Sequence, residues 1–397
     1  MPVVSIVIIV LALAALPGVA WLRRRLAHPA DRHGLQSAMD DEVAKFAKRM
    51  PDLGLVIGVL KDGEAYTKGY GRVRADGSGG AEAPDETTVF QIGSVSKVFT
   101  AALLQILCDE GRLSMDATLR ELLGDSMPLS PAVQQVTLRQ LVTHTSGFPS
   151  IPPSLLAWMT AAAKGNDLML DPYGPLGADQ IFEHLSVADG KKKPGRFEYS
   201  NYGMGLLGHL LEKLTDQNYE SLLREKMLAP LGMDHTGVQM SESMQAALAQ
   251  GHTGKGSPTP IWRFGALSGA GALSSNVHDM LKFMQANLNE GDLLWKPFAK
   301  MREPQFNGDS GIGWIQPSLL DRLLGNQTMV WHNGMVGGYA SYLAIDAKTK
   351  SGVVILANTA VSLDMLGMML MRQVRTQSWS AGLLAERMPV HSSGGTA

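Results

Sequence analysis

Apolar runs and turn residues divide the chain into strand-rich ends and a helical middle. Residues 37–50 read as a helix, and the almost wholly apolar run 53–60 predicts a strand. Lys61-Asp62-Gly63 is a turn signal, so 65–73 is expected to return as the second strand of a hairpin. Residues 74–86, rich in Gly, Ala, Asp and Glu, form a loop, and 87–92 a short strand. From Val98 to Cys108 hardly any polar face remains, the pattern of a buried helix. Up to about residue 260 the pattern is helical with long loops, of which 149–178, with five prolines and Trp158, is the longest. Strand patterns return at 340–346 and 353–357 around an Ala-Lys-Thr-Lys-Ser-Gly turn, followed by a Met-rich helix at 360–377 that suits core packing. Strands at both ends and helices between predict an α+β fold: one antiparallel sheet flanked by N- and C-terminal helices, with an all-helical lobe inserted at about 105–260.

A chain of 397 residues is long enough for two lobes. Its formal net charge of -2 gives no basic field, so nucleic acid is not an expected partner. The ten histidines show no ligand spacing, and no metal or other cofactor is expected. Cys108, the single cysteine, lies in the apolar helix and reads as a small core residue. Residues 3–22 form an uncharged run of membrane-spanning length, followed at once by three arginines. The expected organisation is a membrane anchor or signal segment at 1–25, a linker at 26–36, a catalytic domain at 37–379 and a disordered tail at 380–397.

Ser94 and Lys97 form the only Ser-x-x-Lys in the chain. On a helix beginning just before Ser94, that spacing places hydroxyl and amine on one face, about 5–6 Å apart at Cβ. The unpaired N–H groups of a helix start favour developing negative charge, which suits acyl chemistry. Tyr199-Ser200-Asn201 follows a Pro-Gly turn and offers a phenol for proton transfer beside an amide for a carbonyl. His332-Asn333-Gly334 precedes the late strand, and Gly337-Gly338 beyond it lets backbone approach a ligand. Taken singly, a tyrosine packed under a loop or a satisfied structural histidine would explain either motif. His144, within Thr-His-Thr-Ser-Gly, reads as a structural loop residue. His235-Thr236-Gly237 and His252-Thr253-Gly254 also fit His-x-Gly but precede the late strands, and Lys350-Ser351-Gly352 sits in a hairpin turn.

In this order, Ser-x-x-Lys, Tyr-x-Asn and His-x-Gly resemble the three motifs of the serine β-lactamase and penicillin-binding-protein superfamily. The likeness is closer to its class C β-lactamase-like branch, which includes D-Ala-D-Ala carboxypeptidases and family VIII carboxylesterases. It extends over residues 54–358 and takes in FQIGSVSKVFTAALL, EGRLSMDATL, LVTHTSGFP, PLGM, GAGALSSNVHDMLKF and WHNGMVGGYASYLAID. The resemblance implies that Ser94 is acylated, that Lys97 or Tyr199 is its base, and that the Ser94 and Met335 N–H groups form an oxyanion hole beside Gly334. It implies further that Asn201 orients the acyl side chain or stabilises the lysine. His332 stands where β-lactamases of this branch carry lysine, which removes a fixed cation and shifts the expected substrate from β-lactams to esters or D-amino-acid peptides. A non-catalytic, peptidoglycan-binding relative is the alternative. The superfamily is largely exported, implying an envelope location with the domain outside, whereas arginines on the domain side of a span favour the cytoplasm.

Overall fold

The computed structural model describes residues 32–48, 53–73, 83–152, 155–157, 160, 171–188, 194–305 and 310–376. The apolar run at 3–22 and the tail from 380 lie outside these, and among the described residues no helix is long and apolar enough to cross a membrane.

Helix α1 (Arg32–Ala47) leads to strands β1 (Leu55–Lys61) and β2 (Glu64–Tyr70), then to the short β3 (Phe90–Gln91). Helix α2 (Ser96–Asp109) opens the helical part, which includes α3 (Asn201–Thr215). The two-residue strand β4 (Ser274–Ser275) pairs with β3, and α4 (Val277–Leu288) follows. Strands β5 (Val330–Val336), β6 (Tyr339–Asp346) and β7 (Ser351–Ala357) and helix α5 (Asp364–Thr376) complete the order. The five long strands form one sheet ordered β2-β1-β7-β6-β5, antiparallel throughout. The predicted α+β plan is therefore observed, with sheet strands from both ends of the chain and helices between.

Asp62 and Gly63 close the first hairpin with φ of 50° and 86°. Such a two-residue Asp-Gly turn matches the twist of the strands it joins. Both faces of the sheet are covered, so its inner strands read as continuous apolar runs rather than alternating ones. Leu55, Ile57 and Val59 of β1 enter a core with α1 and α5, while Val56 and Leu60 enter the larger core around α2 and α4. Helix α2 is buried from Ser96 to Leu107, which explains its lack of a polar face. Its buried polar groups are matched: Thr100 Oγ1 lies 2.7 Å from both Gly269 O and the Tyr219 hydroxyl, and Ser96 Oγ accepts from Leu273 N at 3.1 Å.

Candidate active site

The chain leaves β3 through a 3-10 turn, Gly93–Val95, before α2 begins at Ser96. Ser94 therefore sits ahead of the α-helix proper, with Lys97 just inside its first turn. Lys97 Nζ donates to Ser94 Oγ at 2.9 Å and to Ala270 O at 2.6 Å. The lysine is fully buried, and among the described residues no carboxylate pairs with it. Two effects oppose each other here. The Tyr199 ring, 4.9 Å from Nζ, favours the ammonium by about 0.5–2 kcal/mol. Burying an unpaired ammonium costs several kcal/mol, so burial wins. It holds the Lys97 amine well below the ordinary lysine range, and the neutral form can take a proton.

Tyr199 reaches this pair from the loop before α3. Its hydroxyl is hydrogen-bonded with Ser94, and burial pushes the phenol up, so it stays protonated at neutral pH. Ser200 caps α3 by accepting from Gly203 N at 2.8 Å while its hydroxyl donates to Pro149 O at 2.7 Å. Asn201 opens the helix with its amide 3.4 Å from Ser150 Oγ and hydrogen-bonded with Tyr173. Lys97 is thus held by Ser94 and Ala270 rather than by Asn201.

The third element is β5, at the edge of the sheet. The His332 motif lies on this strand itself rather than ahead of the late strands. Trp331 exchanges both backbone bonds with Ile315, at 2.8 and 3.1 Å, on the side away from β6. Backbone direction repeats every two residues, so the Met335 N–H also points off that free edge. There it meets the Ser94 turn: a Cβ on Gly93, at φ 50°, would lie 3.0 Å from Met335 N. One on Gly334 would lie 2.2 Å from Ile92 O and 2.9 Å from Ser94 N. The two glycines thereby let the Ser94 and Met335 amides converge, an arrangement suited to an oxyanion. Gly334→Ala is expected to push β5 off the turn and reduce any hydrolytic turnover by about 10²-fold, the usual loss for one oxyanion donor. Steady-state kinetics beside a thermal melt would check it; an unchanged kcat would show that the amides do not act together.

His332 is buried, and its Nδ1 lies 2.7 Å from the Asn333 carbonyl. A carbonyl has no hydrogen to give, so the ring proton sits on Nδ1 and Nε2 carries a lone pair, with no partner among the described residues. Burial first, then the neighbouring Lys97, brings the imidazole down to about 3, against the opposing pull of the Asn333 carbonyl. At neutral pH it supplies no charge.

His144, Ala270 and Tyr173 touch these residues and were not singled out for chemistry from the sequence. The stretches LVTHTSGFP and GAGALSS marked the neighbourhoods of the first two, but their contacts arise only in the fold. The decoys lie elsewhere: His235 N binds Asp279, His252 is buried against the Asn358 carbonyl, and Lys350 occupies a left-handed turn position. Burial and Asp109 push the Cys108 thiol up to about 11, away from nucleophilic thiolate. Among the described residues no cluster of three His, Cys, Asp or Glu is arranged for a metal.

Comparisons with known proteins agree on the fold. The chain is 26% identical over 354 residues to the unguisins hydrolase ungD' of Aspergillus campestris, an alignment covering 83% of this chain and 63% of that protein. It is 25% identical over 361 residues to a beta-lactamase of Pseudomonas fluorescens, covering 82% and 93%. The chain thus spans less than two thirds of the fungal relative's length. A beta-lactamase/D-alanine carboxypeptidase from Pseudomonas syringae superposes with a TM-score of 0.72 at 22% identity, covering 87% of this chain and 99% of that one. The family model described as Beta-lactamase matches residues 43–374, and the chain belongs to that family.

Proposed function

We propose that the protein is a serine hydrolase that forms an acyl-enzyme at Ser94 and acts on esters or D-amino-acid peptides. The observation that carries this reading is the 2.9 Å bond between Ser94 Oγ and a fully buried lysine without a carboxylate partner. In the first step neutral Lys97 takes the Ser94 proton as Oγ bonds to the substrate carbonyl carbon. The carbonyl oxygen becomes an oxyanion facing the Ser94 and Met335 N–H groups. On collapse the bond to the leaving oxygen or nitrogen breaks. Tyr199 gives its proton to that atom and receives one from the Lys97 ammonium. Water then gives a proton to neutral Lys97 as its oxygen adds to the acyl carbon, and Lys97 passes that proton to Ser94 Oγ as the bond to the acyl carbon breaks.

Tyr199 is not the first base in this scheme, because burial holds its phenol in the protonated form while the same burial frees the lysine pair. Substrate choice follows from His332. Its neutral imidazole gives a substrate carboxylate no charge-assisted bond, which favours uncharged acyl compounds.

The test is a panel of a short-chain nitrophenyl ester, a D-Ala-D-Ala peptide and a chromogenic cephalosporin. The uncharged ester is expected to be turned over fastest and the cephalosporin slowest. His332→Lys should raise kcat/KM for carboxylate-bearing substrates relative to neutral esters by about 10-fold, the lower end of what a hydrogen bond to a charged group supplies. An unchanged ratio would remove His332 from substrate selection, and stable labelling without turnover of any of the three would point to a binding protein.

A further inference from the structure

His144 is a buried histidine that the hydrolytic scheme leaves unused. It has a φ of 59°, a left-handed conformation uncommon outside glycine, in which His, Asn and Asp are enriched. Such strain persists where surrounding contacts over-determine it. Its own N–H bonds Leu141 O at 3.3 Å, and further contacts reach the segment that carries Tyr199. The His144 carbonyl accepts Glu198 N at 2.7 Å, and its Nδ1 accepts Ser200 N at 3.2 Å. Tyr199 is thereby gripped on both sides along the backbone. The imidazole also lies against the Tyr199 ring, with centroids 4.6 Å apart and planes tilted by 35°, and it meets the Phe197 ring edge-on at 5.8 Å. Neighbouring bonds extend the template: Thr145 O accepts Gly195 N at 2.8 Å, and Ser150 O accepts Tyr202 N at 2.9 Å.

Because Nδ1 accepts, the ring proton is on Nε2 and the imidazole must be neutral. Burial holds it so.

We propose that His144 is the positioning residue for Tyr199, setting the height and tilt of the phenol so that its hydroxyl reaches Ser94 beside Lys97. This role rests on the reading of Tyr199 as the group that gives a proton to the leaving atom. It makes a demand that loop packing alone does not. Nitrophenolate leaves without a proton, whereas an alkoxide needs one, so disturbing Tyr199 must harm an alkyl ester more than a nitrophenyl ester with the same acyl group.

His144→Phe keeps a ring beneath Tyr199 but loses the acceptor for Ser200 N. His144→Asn keeps a short acceptor and tolerates the left-handed backbone but loses the ring. Each variant, confirmed folded by its melt, is expected to lower kcat for the alkyl ester by about 10²-fold and for the nitrophenyl ester by less than about 10-fold, with KM little changed. In the Tyr199→Phe background the same changes should add almost nothing. Equal losses on the two esters, no loss on either, or full additivity with Tyr199→Phe would overturn the proposal. The asparagine variant serves alone if the phenylalanine one does not fold. Undiminished alkyl-ester turnover in Tyr199→Phe would overturn the role of Tyr199 and that of His144 with it. Activity surviving Ser94→Ala would instead strike at the nucleophile.

Discussion

Ser94→Ala is expected to lower kcat for ester hydrolysis by on the order of 10⁶-fold, the scale on which removal of a serine nucleophile acts. Fluorophosphonate labelling should vanish with it, and peptide mapping of the labelled protein should place the adduct on Ser94. The fold should be untouched. Ser94 is only partly buried, and its hydroxyl bonds Lys97 and Tyr199 rather than closing a helix. Labelling that persists in the variant, or an adduct on another serine, would sink the assignment.

Lys97→Met should separate catalysis from stability. Without a base, kcat is expected to fall by about 10³-fold. The melting temperature should rise, because a methionine of similar reach fills the same space without burying an amine. The sign follows from proton linkage. Burial lowers the folded pKa of Lys97 well below 10.5, so as pH falls from that value the unfolded chain takes up a proton before the folded one does. The lysine therefore withholds stability throughout the range below 10.5, and the deficit fades as pH rises toward that value. Melts of both proteins from pH 7 to pH 11 would check this: the advantage of methionine should shrink as the solution becomes alkaline. A constant difference would mean that Lys97 is charged in the fold.

The parts of this architecture that follow from local pattern were legible in the sequence. Asp62-Gly63 announced its hairpin, the apolar run after Gly93 announced a buried helix, and the three-residue spacing of Ser94 and Lys97 became a direct bond. Strand limits were less exact. The sequence pattern predicts the first hairpin at 53–60 and 65–73, whereas the strands are Leu55–Lys61 and Glu64–Tyr70. Strand β5 escaped the residue pattern because Trp-His-Asn-Gly-Met has neither an apolar run nor β-branched residues. Its pairing with β6 and its contact with the Ser94 turn make it a strand. The role open to His144 was hidden for another reason. Its partners stand 56 residues later, and nothing local distinguishes a loop histidine that holds a tyrosine from one that does not.

The order of the sheet also bears on how the enzyme comes into being. Strand β1 lies beside β7, and Gly54 N bonds the Asn358 side chain across a separation of 304 residues. Closing a segment of that length costs about 5 kcal/mol of chain entropy, and contacts so distant make for slow folding. On a ribosome the nucleophile, its lysine and Tyr199 are all made before β5 supplies the Met335 amide. A nascent chain therefore carries every acid and base of the reaction while its first hairpin still has an unpaired edge and the oxyanion has no second donor. Completion of β5, β6 and β7 would act as the maturation step, turning an inert and aggregation-exposed intermediate into a hydrolase only once these strands are in place.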